Sequence, residues 1–180
     1  MRIVHVAALL AAASATPAFA QETPASFNGG HVEAITGYDS VHGGGDSSGG
    51  VLYGIGAGYD FRSGNAVFGI EGEAVESTTG DCDGGVCVDA SRDFYVGGRV
   101  GAVVSPAVLL YAKAGYTNAR VEVESGGVSA GTTFDGIRGG AGIEWAIPNS
   151  PVALRTEYRY SNYQDGLSRH QGVLALAFRF

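Results

Sequence analysis

Basic residues are scarce, cysteine is almost absent, and no long apolar run survives beyond the amino terminus. Eleven Lys and Arg face 18 Asp and Glu in 180 residues, for a formal net charge of −7. That balance excludes nucleic acid as a partner, because phosphate contacts need clustered Lys and Arg. Two cysteines, Cys82 and Cys87, stand in GDCDGGVC without a second CxxC or a nearby His. Such a pair does not make a metal centre. After the first 20 residues no stretch holds 18 uninterrupted apolar residues, so no transmembrane helix is expected. Glycine-free stretches are few as well. The 30 glycines each weaken a helix interior by about 1 kcal/mol, which argues against a helical protein. They follow no G-X-Y period, which removes collagen, and they alternate with Val, Ile, Leu, Tyr and Phe, which removes a disordered linker.

Residues 1–20 read as an export signal. Arg2 gives a positive start, VHVAALLAAASA an apolar run, and Ala18-Phe19-Ala20 a small-x-small cleavage site before Gln21. Removing them costs one base and no acid, so the mature chain carries ten bases, 18 acids and a net charge of −8. Outside the cytoplasm, Cys82 and Cys87 are expected to form a local disulfide.

From residue 21 onward the period is two. In Val51–Phe61 one face reads Val, Tyr, Ile, Ala, Tyr, Phe and the other Leu, Gly, Gly, Gly, Asp. Strict alternation means a strand with two unlike sides. Eleven residues at about 3.3 Å, tilted by some 40°, span roughly 28 Å, close to the ~25 Å apolar band of a membrane barrel. Eight such segments are predicted, near 28–38, 50–62, 65–77, 92–105, 107–119, 133–147, 151–162 and 170–180. Long polar loops follow the first, third, fifth and seventh strands, and short turns (RSGN, SPA, PNSP) follow the second, fourth and sixth. That rhythm belongs to an antiparallel up-and-down barrel with both termini on the short-turn side.

The two faces differ in chemistry. With Val51 and Ile55 outward, so are Val32, Tyr38, Phe68, Ile70, Val96, Val100, Leu110, Tyr116, Ile137, Ile143, Trp145, Leu154, Tyr158, Tyr160, Leu174, Leu176, Phe178 and Phe180. Inward lie Glu33, Asp60, Glu71, Glu73, Arg99, Lys113, Arg138, Glu144, Arg155, Glu157, Arg159 and Arg179, interleaved with glycine. The apolar face is turned to lipid, and Tyr59, Phe61, Trp145 and Phe180 fit an aromatic girdle. The inward charges nearly balance, and an uncompensated buried charge costs several kcal/mol. They are therefore expected to pair and fill the lumen, Glu71 and Glu73 with Arg99, and Arg138 and Glu144 with Arg155, Glu157 and Arg159. An eight-stranded interior is just wide enough for side chains to fill.

The chain ends in QGVLALAFRF, an alternating strand with a terminal Phe. Together with GRVGAVVSPAVLLYAKAGY (98–116) and GGAGIEWAIPNSPVALRTEYRY (139–160), this ending resembles the outer-membrane β-barrel proteins of Gram-negative bacteria (the "porin family", OmpA/OmpX-like). The likeness covers about Phe27 to Phe180. It implies an eight-stranded monomeric barrel in the outer membrane, with a structural or surface role. It also implies that Leu176, Phe178 and Phe180 form the signal read by the barrel-assembly machinery. No carboxy-terminal peptidoglycan-binding domain is expected.

Other motifs carry less. Gly54-x-Gly56-x-Gly58 and Gly136-x-x-Gly139-Gly140-x-Gly142 lie inside strands with no helix to follow, so neither is a phosphate loop. His31, His42 and His170 show no metal-ligand spacing. Asp165, Ser168 and His170 are close in sequence but too adjacent for a working triad. Asp39, Asp93, Glu122, Asp135 and other loop acids outnumber Arg92, Arg120 and Arg169, an acidic crown that could hold divalent cations or basic partners.

The sequence thus predicts a signal peptide over 1–20 and one all-β, eight-stranded antiparallel up-and-down transmembrane barrel over 21–180. No enzyme, cofactor or metal is expected, and the partners are outer-membrane lipids and the assembly machinery. A low-conductance porin, a lipid-modifying enzyme and a surface adhesin or ligand-binding barrel are the alternatives.

Overall fold

A computed structural model describes residues 27–43, 46–83, 86–125 and 128–180. The expected export signal lies outside them. Among the described residues nine strands run in chain order: β1 Gly29–Gly43, β2 Asp46–Ser63, β3 Ala66–Ser77, β4 Gly80–Asp83, β5 Val86–Ser105, β6 Val108–Ser125, β7 Val128–Ala146, β8 Val152–Tyr163 and β9 Ser168–Arg179. All pairings are antiparallel, and β3 pairs with both β2 and β5, so the sheet closes into a ring of eight. The short β4 stands outside that ring, paired to the far end of β5.

Alternation dictates the closure. A strand with one apolar and one charged face satisfies both only where lipid lies on one side and a private interior on the other. The outward residues anticipated from parity are exposed, and the inward charged ones are buried, Asp60 and Glu144 completely, except Arg179, which is half-buried. Tracing paired residues around the ring from Asp60 passes Gly69, Arg99, Lys113, Gly140, Arg159, Gln171 and Asp39. The path returns to β2 at Gly50, ten residues from its start. Eight strands with that stagger tilt by about 40° from the axis. Exposed aromatics form two rings: Phe61, Phe68, Trp145 and Phe178 below, Tyr38, Tyr53, Phe94 and Tyr116 above. Phe61 and Tyr53 on β2 mark the spacing, about 20 Å along the axis at this tilt.

The strands reach further than the sequence suggests. β1 continues to Gly43, β2 begins at Asp46, β5 begins at Val86 and β6 runs to Ser125. Much of the Gly/Ser/Asp sequence read as loop is strand. Once a hairpin is started, each further rung pairs backbone groups at little extra loop entropy, whatever its composition. The extension is lopsided. β6 and β7 stay paired out to Ser125–Val128, whereas the β7–β8 ladder stops at Gly136–Tyr163. One side of the barrel therefore stands as a wall above the other.

The lower mouth is sealed by apolar side chains. Phe27, Val67, Val103, Leu109, Tyr111, Ala146, Ala153 and Ala177 form one buried cluster. Phe27 enters the lumen through a turn at Gly29, whose φ of +109° favours glycine. A Cβ there would lie 2.6 Å from the Phe180 carbonyl oxygen. The Asn28 carboxamide accepts the Arg62 N–H at 3.1 Å, which holds the turn in place.

Candidate functional site: the charged lumen

Above the apolar seal the interior is a lattice of ion pairs. Eight carboxylates (Glu33, Asp39, Asp60, Glu71, Glu73, Asp93, Glu144 and Glu157) are buried among the described residues. Seven bases face them: Arg99, Lys113, Arg138, Arg155, Arg159, Arg169 and Arg179. The near balance matters because a buried charge is tolerated only with a partner.

The lowest layer centres on Asp60 and Glu144. Arg99 donates to Asp60 through Nε at 2.7 Å and reaches Glu144 at 3.3 Å. Arg179 bridges the same two acids at 3.0 and 2.6 Å. Arg155 joins Glu144 at 2.9 Å to Glu33 at 2.6 Å. Gly69, between Asp60 and Arg99 in the register, makes this possible. A Cβ at that position would sit 2.2 Å from the Asp60 carboxylate and 3.1 Å from Arg99 Cγ. The interleaved glycine is the gap through which the guanidinium reaches past one strand to the next.

The middle layer converges on Lys113, whose ammonium lies 2.8 Å from Glu71, 2.6 Å from Glu73 and 3.0 Å from Glu157. Tyr111 donates to Glu157 at 2.7 Å, and Arg159 bonds both Glu157 and Glu73. In the upper layer Arg138 and Arg169 share Asp93, the latter at 3.0 Å, and Arg169 Nε donates to Asp39 at 2.6 Å. Thr117 donates to Asp93 at 2.7 Å, and Ser161 accepts from Arg138 at 2.8 Å.

Two bridges cross the full width of the barrel. β3 and β8 are diametrically opposite, as are β5 and β9. Glu73 meets Arg159 at 2.8 Å across the first diameter, and Asp93 meets Arg169 at 3.0 Å across the second. Side chains therefore occupy the axis itself at two heights.

Of the twelve inward charged residues singled out in the sequence, eleven are buried in this lattice and Arg179 is half-buried. Glu144 pairs with Arg155 as expected, and other partners differ. Glu71 and Glu73 do not take Arg99; they take Lys113, with Glu73 also on Arg159, while Arg99 takes Asp60 and Glu144. The register explains the change: Arg99 lies opposite Gly69, and Glu71 and Glu73 lie opposite Gly97 and Tyr95. Asp39, Asp93 and Arg169, expected in an acidic crown, belong to the lumen and are buried. Their positions follow the same parity as Glu33, Arg99 and Arg179, so applying the alternation to Asp93 inside the 92–105 segment, and carrying it one residue past the predicted ends to Asp39 and Arg169, would have found them.

Leu176 and Phe178 point outward on β9, and the Phe180 N–H closes on the Gly30 carbonyl at 2.9 Å. Cys82 and Cys87 are register partners in the β4–β5 hairpin; their side chains lie outside the described residues. His170 has its Nδ1 2.6 Å from the Tyr158 hydroxyl.

A family profile described as the outer membrane protein beta-barrel domain matches residues 6–180. The chain belongs to that family. This outer-membrane barrel is 34% identical over 116 residues to the 22 kDa outer membrane protein of Rhizobium leguminosarum bv. viciae, covering 62% of the chain and 54% of that protein. It is 27% identical over 124 residues to the 25 kDa outer-membrane immunogenic protein of Brucella ovis, covering 69% and 61%. The chain thus spans little more than half the length of these relatives. Among solved structures, Neisserial surface protein A superposes with a TM-score of 0.63 at 18% identity, covering 84% of this chain and 97% of that one. Ail of Yersinia pestis gives 0.62 at 19% identity, covering 84% and 99%. These two likenesses show the shared barrel fold.

Proposed function

We propose that this barrel works as a closed structural anchor, spanning the outer membrane as a monomer and displaying its extended hairpins, rather than as a conduit or an enzyme. The observation that supports the reading is the pair of diametric bridges, Glu73–Arg159 and Asp93–Arg169. Each puts charged side chains where a permeating solute would have to pass. Against a lipid hydrolase, the imidazole of His170 is engaged by Tyr158 and faces the outer surface rather than a serine nucleophile. The lipids around the wall and the assembly machinery that reads the β9 ending are the partners in this reading. Divalent cations or basic partners would meet the acids of the upper hairpins.

The experiment is single-channel recording of the refolded chain in planar bilayers. The wild type is expected to stay closed, and Glu73→Ala to pass small ions. A steady wild-type conductance that Glu73→Ala leaves unchanged would overturn the closed-anchor reading. The Cys82–Cys87 disulfide belongs to the same proposal: both thiols should resist maleimide labelling on intact cells until a reductant is added.

A further inference from the structure

His42 and His170 are 128 positions apart in sequence, and the closing seam of the barrel brings them together. β1 pairs with β9 through Ser40–His170 and His42–Ser168, so the two imidazoles are diagonal neighbours on one face. That face is the outer one, level with and above the upper aromatic ring. The imidazole centroids lie 5.4 Å apart with planes at 79°. The Tyr158 hydroxyl lies 2.6 Å from His170 Nδ1, and the Tyr160 ring packs 4.9 Å from the same imidazole.

The spacing has a chemical meaning. A Zn–N bond of about 2.0–2.1 Å, plus about 1.1 Å from nitrogen to ring centre, puts each centroid about 3.2 Å from a shared ion. A tetrahedral angle then separates two such centroids by about 5.2 Å. Near-perpendicular planes let both rings approach one ion without clashing. The hydrogen bond at Nδ1 adds a second, independent feature. Metal-ligating histidines hold their ring by a hydrogen bond at the other nitrogen, which fixes the tautomer. The Tyr158 hydroxyl occupies Nδ1, so Nε2 is the nitrogen left to ligate, and with an ion there Nδ1–H would donate to the Tyr158 oxygen. No group of three or more His, Cys, Asp or Glu converges among the described residues, so such an ion would keep water in its open positions.

We propose that His42 and His170 form an open two-imidazole site for a borderline divalent transition ion, Cu²⁺ or Zn²⁺, on the outer rim of the barrel, with Tyr158 as its positioning residue. Imidazole suits these ions, and Cu²⁺ heads the affinity order. The remaining described histidine, His31, is buried in the lumen and cannot contribute.

The test is titration of Cu²⁺ into the untagged, refolded chain in detergent, read by electron paramagnetic resonance. The expected result is one ion per barrel with hyperfine structure from two imidazole nitrogens. His42→Ala and His170→Ala should each weaken binding at least tenfold and remove one nitrogen from the spectrum. Tyr158→Phe should keep the two-nitrogen spectrum while binding about tenfold more weakly, an effect that mere ring packing would not produce. Heat-modified gel mobility establishes that each variant is folded. Absence of binding in the wild type, or binding that survives either histidine substitution, overturns the site and leaves the four rings as interfacial packing.

Discussion

The two ends of one lumen are closed by unlike chemistry. At the bottom, Phe27, Val67, Leu109 and their neighbours exclude water by contact alone. At the top, Asp39, Asp93, Arg138 and Arg169 close the passage only as long as every member keeps its partner. The apolar seal is tolerant, because a trimmed side chain loses contacts and leaves a small void. The ionic seal is conditional, because a trimmed partner strands a charge in a place poor in water.

Substitutions can break that contrast or sharpen it. The largest effect is expected from Asp93→Ala, which leaves Arg138 and Arg169 short of a shared partner and should destabilise the barrel by about 3–5 kcal/mol. Urea unfolding in detergent measures it. Asp93→Asn keeps the shape and isolates the charge, so comparing the two separates packing from electrostatics. On the lipid face, Ile55→Arg near the midplane should cost about 2–4 kcal/mol, and equal folding yields for mutant and wild type would refute the face assignment. In the lower seal, Leu109→Ala should cost about 2 kcal/mol, the low end for a buried leucine, with no new sensitivity to salt. At the exposed rim, Tyr53→Phe removes a 3.0 Å hydrogen bond to Glu76. Its cost should stay below about 0.5 kcal/mol, as for other solvated surface contacts.

Parity makes most of this molecule legible in its sequence. Val51 and Ile55 on one side, Glu71 and Arg99 on the other, define lipid and lumen because a strand has only two faces. Strand ends were harder to read. Asp39 and Arg169 stand in stretches whose glycines and serines look like loop, and composition says nothing about whether a neighbouring strand continues the ladder. Ion-pair partners were harder still. Glu73 and Arg159 meet because the ring brings β3 and β8 face to face across its axis, a relation set by strand number and stagger. His42 and His170 show the same limit: nothing near either residue announces the other.

The seam between β1 and β9 carries a temporal consequence. Gly30, near the first of the described residues, is bonded by the N–H of Phe180. A contact of such high sequence separation can form only after synthesis and export of everything between. Until then both flanking strands present bare backbone edges. The barrel therefore has no partly built, watertight precursor; the ring is clasped by its two ends or not at all. Truncation of a few carboxy-terminal residues should thus act as a failure of closure rather than as a graded loss of stability.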